Sequence, residues 1–417
     1  MPDQDDALRD LQTVLSVSRA LGAERDLGRL LELIVRSASD LVNAERTSLF
    51  VLDRERNELW TRVAEGSAEI RLPVGRGIAG TVAASKSAIN IPSAYDDLRF
   101  DPANDRRTGF RTRSILCMPM VNHEGAVVGV IQALNKRDMP AFGQRDEQVL
   151  DALAAQAGIA LENAQLLQRD HERQRMLADL ELARTIQLGL LPSSVPTVPG
   201  WRFAAWQRSC DQTGGDYHDF MTTPAGEIDA VVGDVSGHGI AAALLMGTAR
   251  AFLRALHQQG LAIGPLVGKV NKLLEEDMAD DAFMTMAICR FKPDGVVSYV
   301  SAGHDPPLVL RRMSGQFDVL ESTGIALGMI DAFDYDPIQL APLLRGDIVV
   351  LLTDGISEAH APPSQELFTT ERLRAVIAAA STGGAQSVRD AVVAAVDGWL
   401  HGHPQHDDMT FVVAERL

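Results

Sequence analysis

The chain has 417 residues, 46% hydrophobic and 23% charged, and its 39 Lys and Arg against 56 Asp and Glu leave a formal net charge of -17. That length has room for two or three domains, each with its own core, and the acidic balance excludes a nucleic-acid partner, whose phosphates need a basic face. Cys117, Cys210 and Cys289 are odd in number and far apart, which fits neither a disulfide framework nor zinc spacing. The acidic N-terminus and the want of an apolar run of bilayer length lead to the expectation of a cytoplasmic protein without membrane contact.

In chain order, residues 7–21 place Leu8, Leu11, Val14, Leu15 and Leu21 at mostly helical spacing and predict a short amphipathic helix. Residues 27–42 predict a second, with Leu30, Leu31, Ile34 and Val35 on its apolar side. From Arg46 the period shortens. Segments 48–52 and 58–63 (Glu58 to Val63) predict one strand pair, and 114–121 with 126–135 another. Gly75 to Gly80 matches G-x-G-x-x-G. Pro73 in the short strand before it, and the missing βαβ unit, turn that reading into a turn that opens a helix at 79–84.

Asn135-Lys136, five residues, Phe142, three residues, then Asp146-Glu147 resembles the signature of GAF domains. Gly77 to Gly80, Thr108 to Thr112 and Gly129 to Gln132 are also similar to the GAF domains of cyclic-nucleotide phosphodiesterases and bacterial adenylyl cyclases. The resemblance implies an antiparallel sheet with flanking helices over 23–164, after an N-terminal helix at 1–22, with Lys136 pairing with Asp146. It implies a sensor for a small molecule or cyclic nucleotide, or a dimerisation module, because fold does not fix function.

No proline stands between Pro140 and Pro192, so 144–190 is predicted as one helix about 70 Å long. Leu150, Leu153, Ala157, Ala160, Ala164 and Leu167 follow the 3-4 spacing of a parallel coiled coil. A homodimer through the GAF domain and a coiled-coil linker helix at 165–191 is therefore expected. The register is lost over Arg169 to Arg173 and resumes at Leu177 and Leu180. That patch is a solvated face or a stutter between two registers.

Prolines 192, 196 and 199 end the helix, and a second domain is placed at 192–417. There the apolar run Ala230 to Val232 leads to Gly233-Asp234, the run 348–353 to Asp354-Gly355, and Asp407-Asp408 precede the run 409–413. Asp216 follows Gly214-Gly215. A helix at 240–257 is expected to bury Leu244, Leu245, Phe252 and Leu256, and strands are expected at 285–291, 296–302 and 308–312. If these Asp-bearing ends meet, the carboxylates repel one another, and divalent cations remove the penalty. Two such ions can activate water and clamp a phosphoryl group.

The motifs Gly214-Gly215-Asp216, Gly233-Asp234-Val235-Ser236-Gly237-His238-Gly239, Ser301-Ala302-Gly303-His304, Leu352-Thr353-Asp354-Gly355 and Asp407-Asp408-Met409-Thr410 resemble the bacterial PPM phosphatases of the sporulation protein E and RsbU type. Ile186-Gln187-x-x-Leu190-Leu191-Pro192 is similar to the helix that leads into that domain. The resemblance implies an α+β protein in which a GAF domain and a long linker helix precede a PPM α/β/β/α sandwich. It implies a protein serine/threonine phosphatase with two Mn2+ or Mg2+ ions. Asp234 would bridge both ions, the Val235 carbonyl would bind one, Asp354 and Asp407 would hold the other, and Asp216 would act through a water. The implied substrate is a phosphoprotein like an anti-sigma-factor antagonist in partner-switching signalling. A pseudo-phosphatase that only docks a partner is the alternative, and a cyclic-nucleotide phosphodiesterase is disfavoured for want of a paired His/Asp motif. Arg208 is the weak candidate for a phosphate ligand. His238 and His304 are structural turn residues or proton donors, and His401-x-His403-x-x-His406 is a solvated loop or a transition-metal site. Gly264 to Val270 is one residue short of a P-loop.

Overall fold

The computed structural model describes residues 2–61, 70–278, 282–360 and 366–417, with side chains described from Gln12 onward. Leu8, Leu11 and Val63 of the predicted elements lie outside those limits. The chain divides into two compact units, Met1–Arg175 and Met176–Leu417.

In the first unit, helices Pro2–Ala23 and Leu27–Leu41 precede a six-stranded antiparallel sheet. Its spatial order is Ile70–Pro73, Glu58–Thr61, Ala44–Asp53, Val127–Lys136, Ile115–Val121 and Ile89–Ile91. Asp26 starts the second helix, its carboxylate accepting the Arg29 N–H at 2.8 Å, which satisfies one of the donors a helix start leaves open. The glycine turn opens helix Gly77–Ser85, which fills the opposite face of the sheet with Ile78, Ala79 and Val82. Cys117 is buried there as well.

Helix Gln144–Leu190 has the bounds expected of a proline-free run. Its heptad positions do different work from the expected seam. Leu150, Leu153, Ala157, Ala160 and Ala164 are buried in one cluster with Leu30, Ile34, Leu116 and Met118 of the same unit. A 3-4 stripe presents one apolar face, and a sheet with its covering helix fills that face as well as a partner helix could. From Leu166 and Leu167 onward the helix is exposed, through Met176, Leu177 and Leu182.

The second unit is a sandwich of two five-stranded antiparallel sheets. One runs Ile338–Gln339, Val297–Ala302, Met284–Phe291, Ile228–Val235, Tyr217–Thr222; the other runs Gln316–Phe317, Leu308–Arg311, Ile348–Leu352, Met409–Arg416, Trp201–Arg208. Phe203, Ala230, Val232, Cys289, Phe291, Val349, Leu351 and Val412 form the layer between them. Helices Ile240–His257 and Ile263–Asp277 pack with the first sheet, and Thr370–Ala380 and Ala385–Leu400 with the second. The result is the α/β/β/α architecture expected. Helix Ile240–His257 has the mean hydropathy of a membrane span, 1.2 over 18 residues, yet Ala242, Met246, Ala249 and Leu253 face the sheet. That register leaves Leu244 exposed, against the expectation that it is buried. Leu245, Phe252 and Leu256 pack at the margin of the cluster.

Candidate active site

Antiparallel pairing sets where the acids go. Leu352 is paired with Phe411, so Asp354 leaves its strand at the end of the sheet where Asp407 and Asp408 enter theirs. The two turns touch: a Cβ on Gly355 would overlap the Asp408 carbonyl oxygen and stand 3.4 Å from the Asp407 Cβ. In the other sheet Tyr217 pairs with Gly233, which sets Asp216 beside Asp234. A Cβ on Gly215 would lie 2.7 Å from the Val235 carbonyl oxygen and 3.3 Å from Asp234 Oδ1. Only glycine permits approaches this close. The strand runs on through Asp234, paired with Thr285, to Val235. The acid therefore sits within the strand and not just past its end. Thr353 Oγ1 then crosses between sheets and donates to Asp216 Oδ2 at 2.9 Å. All four predicted acids are thus at one end of the sandwich, Asp216 buried, Asp234 half-buried, Asp354 and Asp407 exposed.

The carboxylates strain against one another. Burial, then the charges of Asp354, Asp407 and Asp408, push Asp234 up to about 7. Burial and then Asp234 push Asp216 well above the usual carboxylate range. Asp407, exposed at its outer edge yet partly desolvated by the surrounding turns, is raised by that desolvation and by Asp354, against an opposing hydrogen bond from the Asp408 N–H. Asp216 Oδ1 is also buried without a hydrogen-bond partner. Desolvated, mutually repelling carboxylates and an orphaned oxygen fit hard divalent cations, which take oxygen ligands. Among the described residues no three His, Cys, Asp or Glu side chains close by themselves into a metal cage. The remaining ligands would therefore be the Val235 carbonyl and water, in keeping with ions that retain part of their hydration.

The sequence assigned no role to three supporting residues, two of which stand in the quoted motifs. Buried Asp408 accepts from Cys210 N at 2.7 Å through Oδ1, and from Gly215 N at 2.7 Å and Asp216 N at 3.4 Å through Oδ2. It ties the glycine loop to the strand that carries Asp407, and burial together with the Asp408 charge pushes the Cys210 thiol up to about 12. Gln187 donates to Gly214 O at 2.5 Å and accepts from Gly214 N at 3.2 Å. Gln207 donates to Asp216 O at 3.1 Å and meets His218 Nδ1 at 2.8 Å. Only Asp408, next to a predicted ligand, and Gln187, in a recognised motif, had any local signal.

The remaining candidates separate cleanly. Arg208 spends its donors on Asp397 (2.7 Å) and Gln405, which removes it as a phosphate ligand. Buried His304 holds a turn, with Nε2 2.8 Å from Leu352 O and Nδ1 2.7 Å from Thr285 Oγ1. His238 is exposed and lies 2.9 Å from Asp211. His401 and His403 are exposed, while His406 stacks on His360 at 4.2 Å. In the first unit, Lys136 Nζ meets Asp146 Oδ1 at 2.8 Å as expected. Asn135 accepts from Arg113 N at 2.6 Å and donates to Glu45 at 2.7 Å. Phe142 is buried, and its carbonyl and Glu147 both accept from Asn90, at 2.9 and 2.7 Å. These five signature residues hold the fold.

The family model described as stage II sporulation protein E (SpoIIE) matches residues 224–417, and the GAF domain model matches residues 26–161. The second unit is a SpoIIE-type PPM protein serine/threonine phosphatase domain. The first is a GAF domain. The phosphatase domain shares its fold with the SiaA PP2C domain of Pseudomonas aeruginosa, at a TM-score of 0.51 and 19% identity over 59% of this chain and 98% of that one. The RsbU and RsbW domains of a Mycobacterium tuberculosis protein are 26% identical over 54% of this chain and 63% of theirs, with a TM-score of 0.47. Among curated proteins, a probable 3',5'-cyclic phosphodiesterase of Caenorhabditis elegans is 34% identical over 164 residues, 35% of this chain and 22% of that protein. A dual 3',5'-cyclic-AMP and -GMP phosphodiesterase 11 of Drosophila melanogaster is 33% identical over 198 residues, 43% of this chain and 14% of that protein. The chain therefore spans about a fifth or less of the length of these curated relatives.

Proposed function

We propose that this chain is a metal-dependent protein serine/threonine phosphatase, regulated by its GAF domain, that dephosphorylates an anti-sigma-factor antagonist in cytoplasmic partner-switching signalling. The observation that carries the catalytic half is the meeting of Asp216, Asp234, Asp354 and Asp407, each on a different strand or at its end, where desolvation and mutual charge raise Asp216, Asp234 and Asp407. Two Mn2+ or Mg2+ ions, when bound, supply activation of water and neutralisation of the phosphoryl group. Asp234, Asp354, Asp407 and the Val235 carbonyl would hold them. Asp216, fixed through Oδ2 by Thr353, keeps Oδ1 free to accept from a water. Asp408 keeps the Asp216 loop from drifting, because both of its oxygens are already engaged.

Regulation is supported by Gln187. It stands at the end of helix Gln144–Leu190 and grips both backbone groups of Gly214, so a movement of that helix end is felt two residues from Asp216. A homodimer through the GAF domain and the linker helix is part of this reading, supported by exposed Leu177 and Leu182. A small molecule or cyclic nucleotide is the proposed GAF ligand, and calorimetry with cAMP and cGMP tests it.

The deciding experiment is hydrolysis of p-nitrophenyl phosphate with Mn2+ by the full chain and by Asp234→Ala. Turnover in the first and none in the second supports the phosphatase; equal background in both leaves only a docking module. Phosphorylated antagonists that keep their phosphate beside an enzyme active on the small ester would remove the substrate assignment alone.

A further inference from the structure

We propose that Arg208 and Gln405 form a clamp that positions Asp407 for the cation it shares with Asp354. This rests on the two-ion reading above. Asp407 is delivered by a solvent-facing loop: His401, Gly402, His403 and Pro404 are exposed, and the backbone enters through positive φ at His401 (48°) and Gly402 (80°). Gln405 is the loop residue that turns inward. Its Oε1 accepts from Arg208 Nε, while its Nε2 donates to Arg208 O at 2.8 Å and to the Asp407 carbonyl at 2.9 Å. Both ends of the amide are thus specified, so the side chain has one orientation that satisfies all its partners.

Arg208 connects this amide to the rest of the domain. Its Nη1 lies 2.7 Å from Asp397 on helix Ala385–Leu400, its guanidinium lies 5.1 Å over the Trp206 ring, and its own residue pairs with Met409 in the sheet. One planar fork therefore joins a strand, a helix and the ligand-bearing loop. An exposed Arg–Asp pair adds little stability by itself. The value of this arginine is geometric, since a fixed fork can orient an amide where a lysine ammonium cannot. Arg208 and Gln405 touch no substrate; they are positioning residues. Loss of such an outer-shell partner typically weakens metal affinity by roughly 10- to 100-fold.

The test is Mn2+ binding to the full chain, followed by electron paramagnetic resonance of the free ion and by isothermal calorimetry, with thermal melting as a control. In Gln405→Leu one class of Mn2+ should lose about 10- to 100-fold in affinity, the other class should be unchanged, and the melting temperature of the metal-free chain should hold. Arg208→Lys should show the same split with a smaller change, because it keeps the charge toward Asp397 and loses the fork. Identical binding of both ions in Gln405→Leu and wild type overturns the clamp. So does equal weakening of both ions together with a lowered melting temperature, which marks general loosening. A wild-type chain that binds no Mn2+ overturns the two-ion reading and the clamp with it.

Discussion

The two domains treat the acids of their signature motifs in opposite ways. In the GAF domain Asp146 meets Lys136 at 2.8 Å, and Lys136 also donates to Val42 O at 3.1 Å, so charge and donors are spent inside the fold. In the phosphatase domain the acids meet one another. Asp234 is pushed up to about 7 by burial and its carboxylate neighbours, and Asp216 Oδ1 has no partner. A signature whose polar groups satisfy one another serves the fold; a signature that leaves them in conflict needs something from outside. The contrast shows why one motif specifies a domain without naming its ligand, while the other specifies its ligand class.

The comparison can be broken most directly at its centre. Asp234→Ala should abolish Mn2+-dependent hydrolysis of p-nitrophenyl phosphate, a loss beyond the roughly 100-fold expected of an outer-shell group. Full activity in that variant would end the distinction between the two sets of acids. Lys136→Met should cost up to about 3–5 kcal/mol in urea unfolding of the GAF domain, since it strands Asp146 in a largely buried site. Adding Asp146→Leu should recover most of that loss, whereas no apolar pair can replace the acids of the other domain.

Smaller effects sharpen the same contrast. Mn2+ at about 100 times its dissociation constant should stabilise the phosphatase domain by about 2.7 kcal/mol and leave the GAF transition in place; calorimetric scans with and without chelator resolve the two. Asp408→Asn places an amide N–H against the loop N–H groups and should cost about 1–3 kcal/mol, read as a shift of the urea midpoint. The smallest change is in acid. Burial lowers His218 to about 4 and also lowers His304. Their contribution is complete above the ordinary histidine value near 6.5 and is lost as pH falls toward the folded value. At pH 5.5, His218 alone should cost about 1.4 kcal/mol, and His218→Gln should flatten that part of the stability profile.

Much of this was legible in advance, for reasons that can be named. Helix Gln144–Leu190 was bounded by proline at both sides, a purely local signal. The α/β/β/α order and the four acids were carried by short motifs whose glycines and strand ends are also local. What the 3-4 stripe packs against was not legible, because Leu150 to Ala164 would look the same against a helix or a sheet. Leu244 was misplaced for a related reason: helix Ile240–His257 is apolar on more than one side, so spacing did not select the buried face. Asp408 reaches back 198 residues to Cys210, and Gln405 reaches 197 to Arg208. Hydrogen bonds over such separations leave no periodic trace.

The cysteines carry a practical consequence. Cys117 and Cys289 are enclosed in apolar cores, and Cys210 sits beside a carboxylate that disfavours its thiolate. Since alkylating and oxidising reagents attack the thiolate, all three should be silent toward maleimides at neutral pH. A reporter cysteine placed on the exposed stretch near Leu177 would then be the one reactive thiol, and a spectroscopic ruler could follow the linker in the unmodified background.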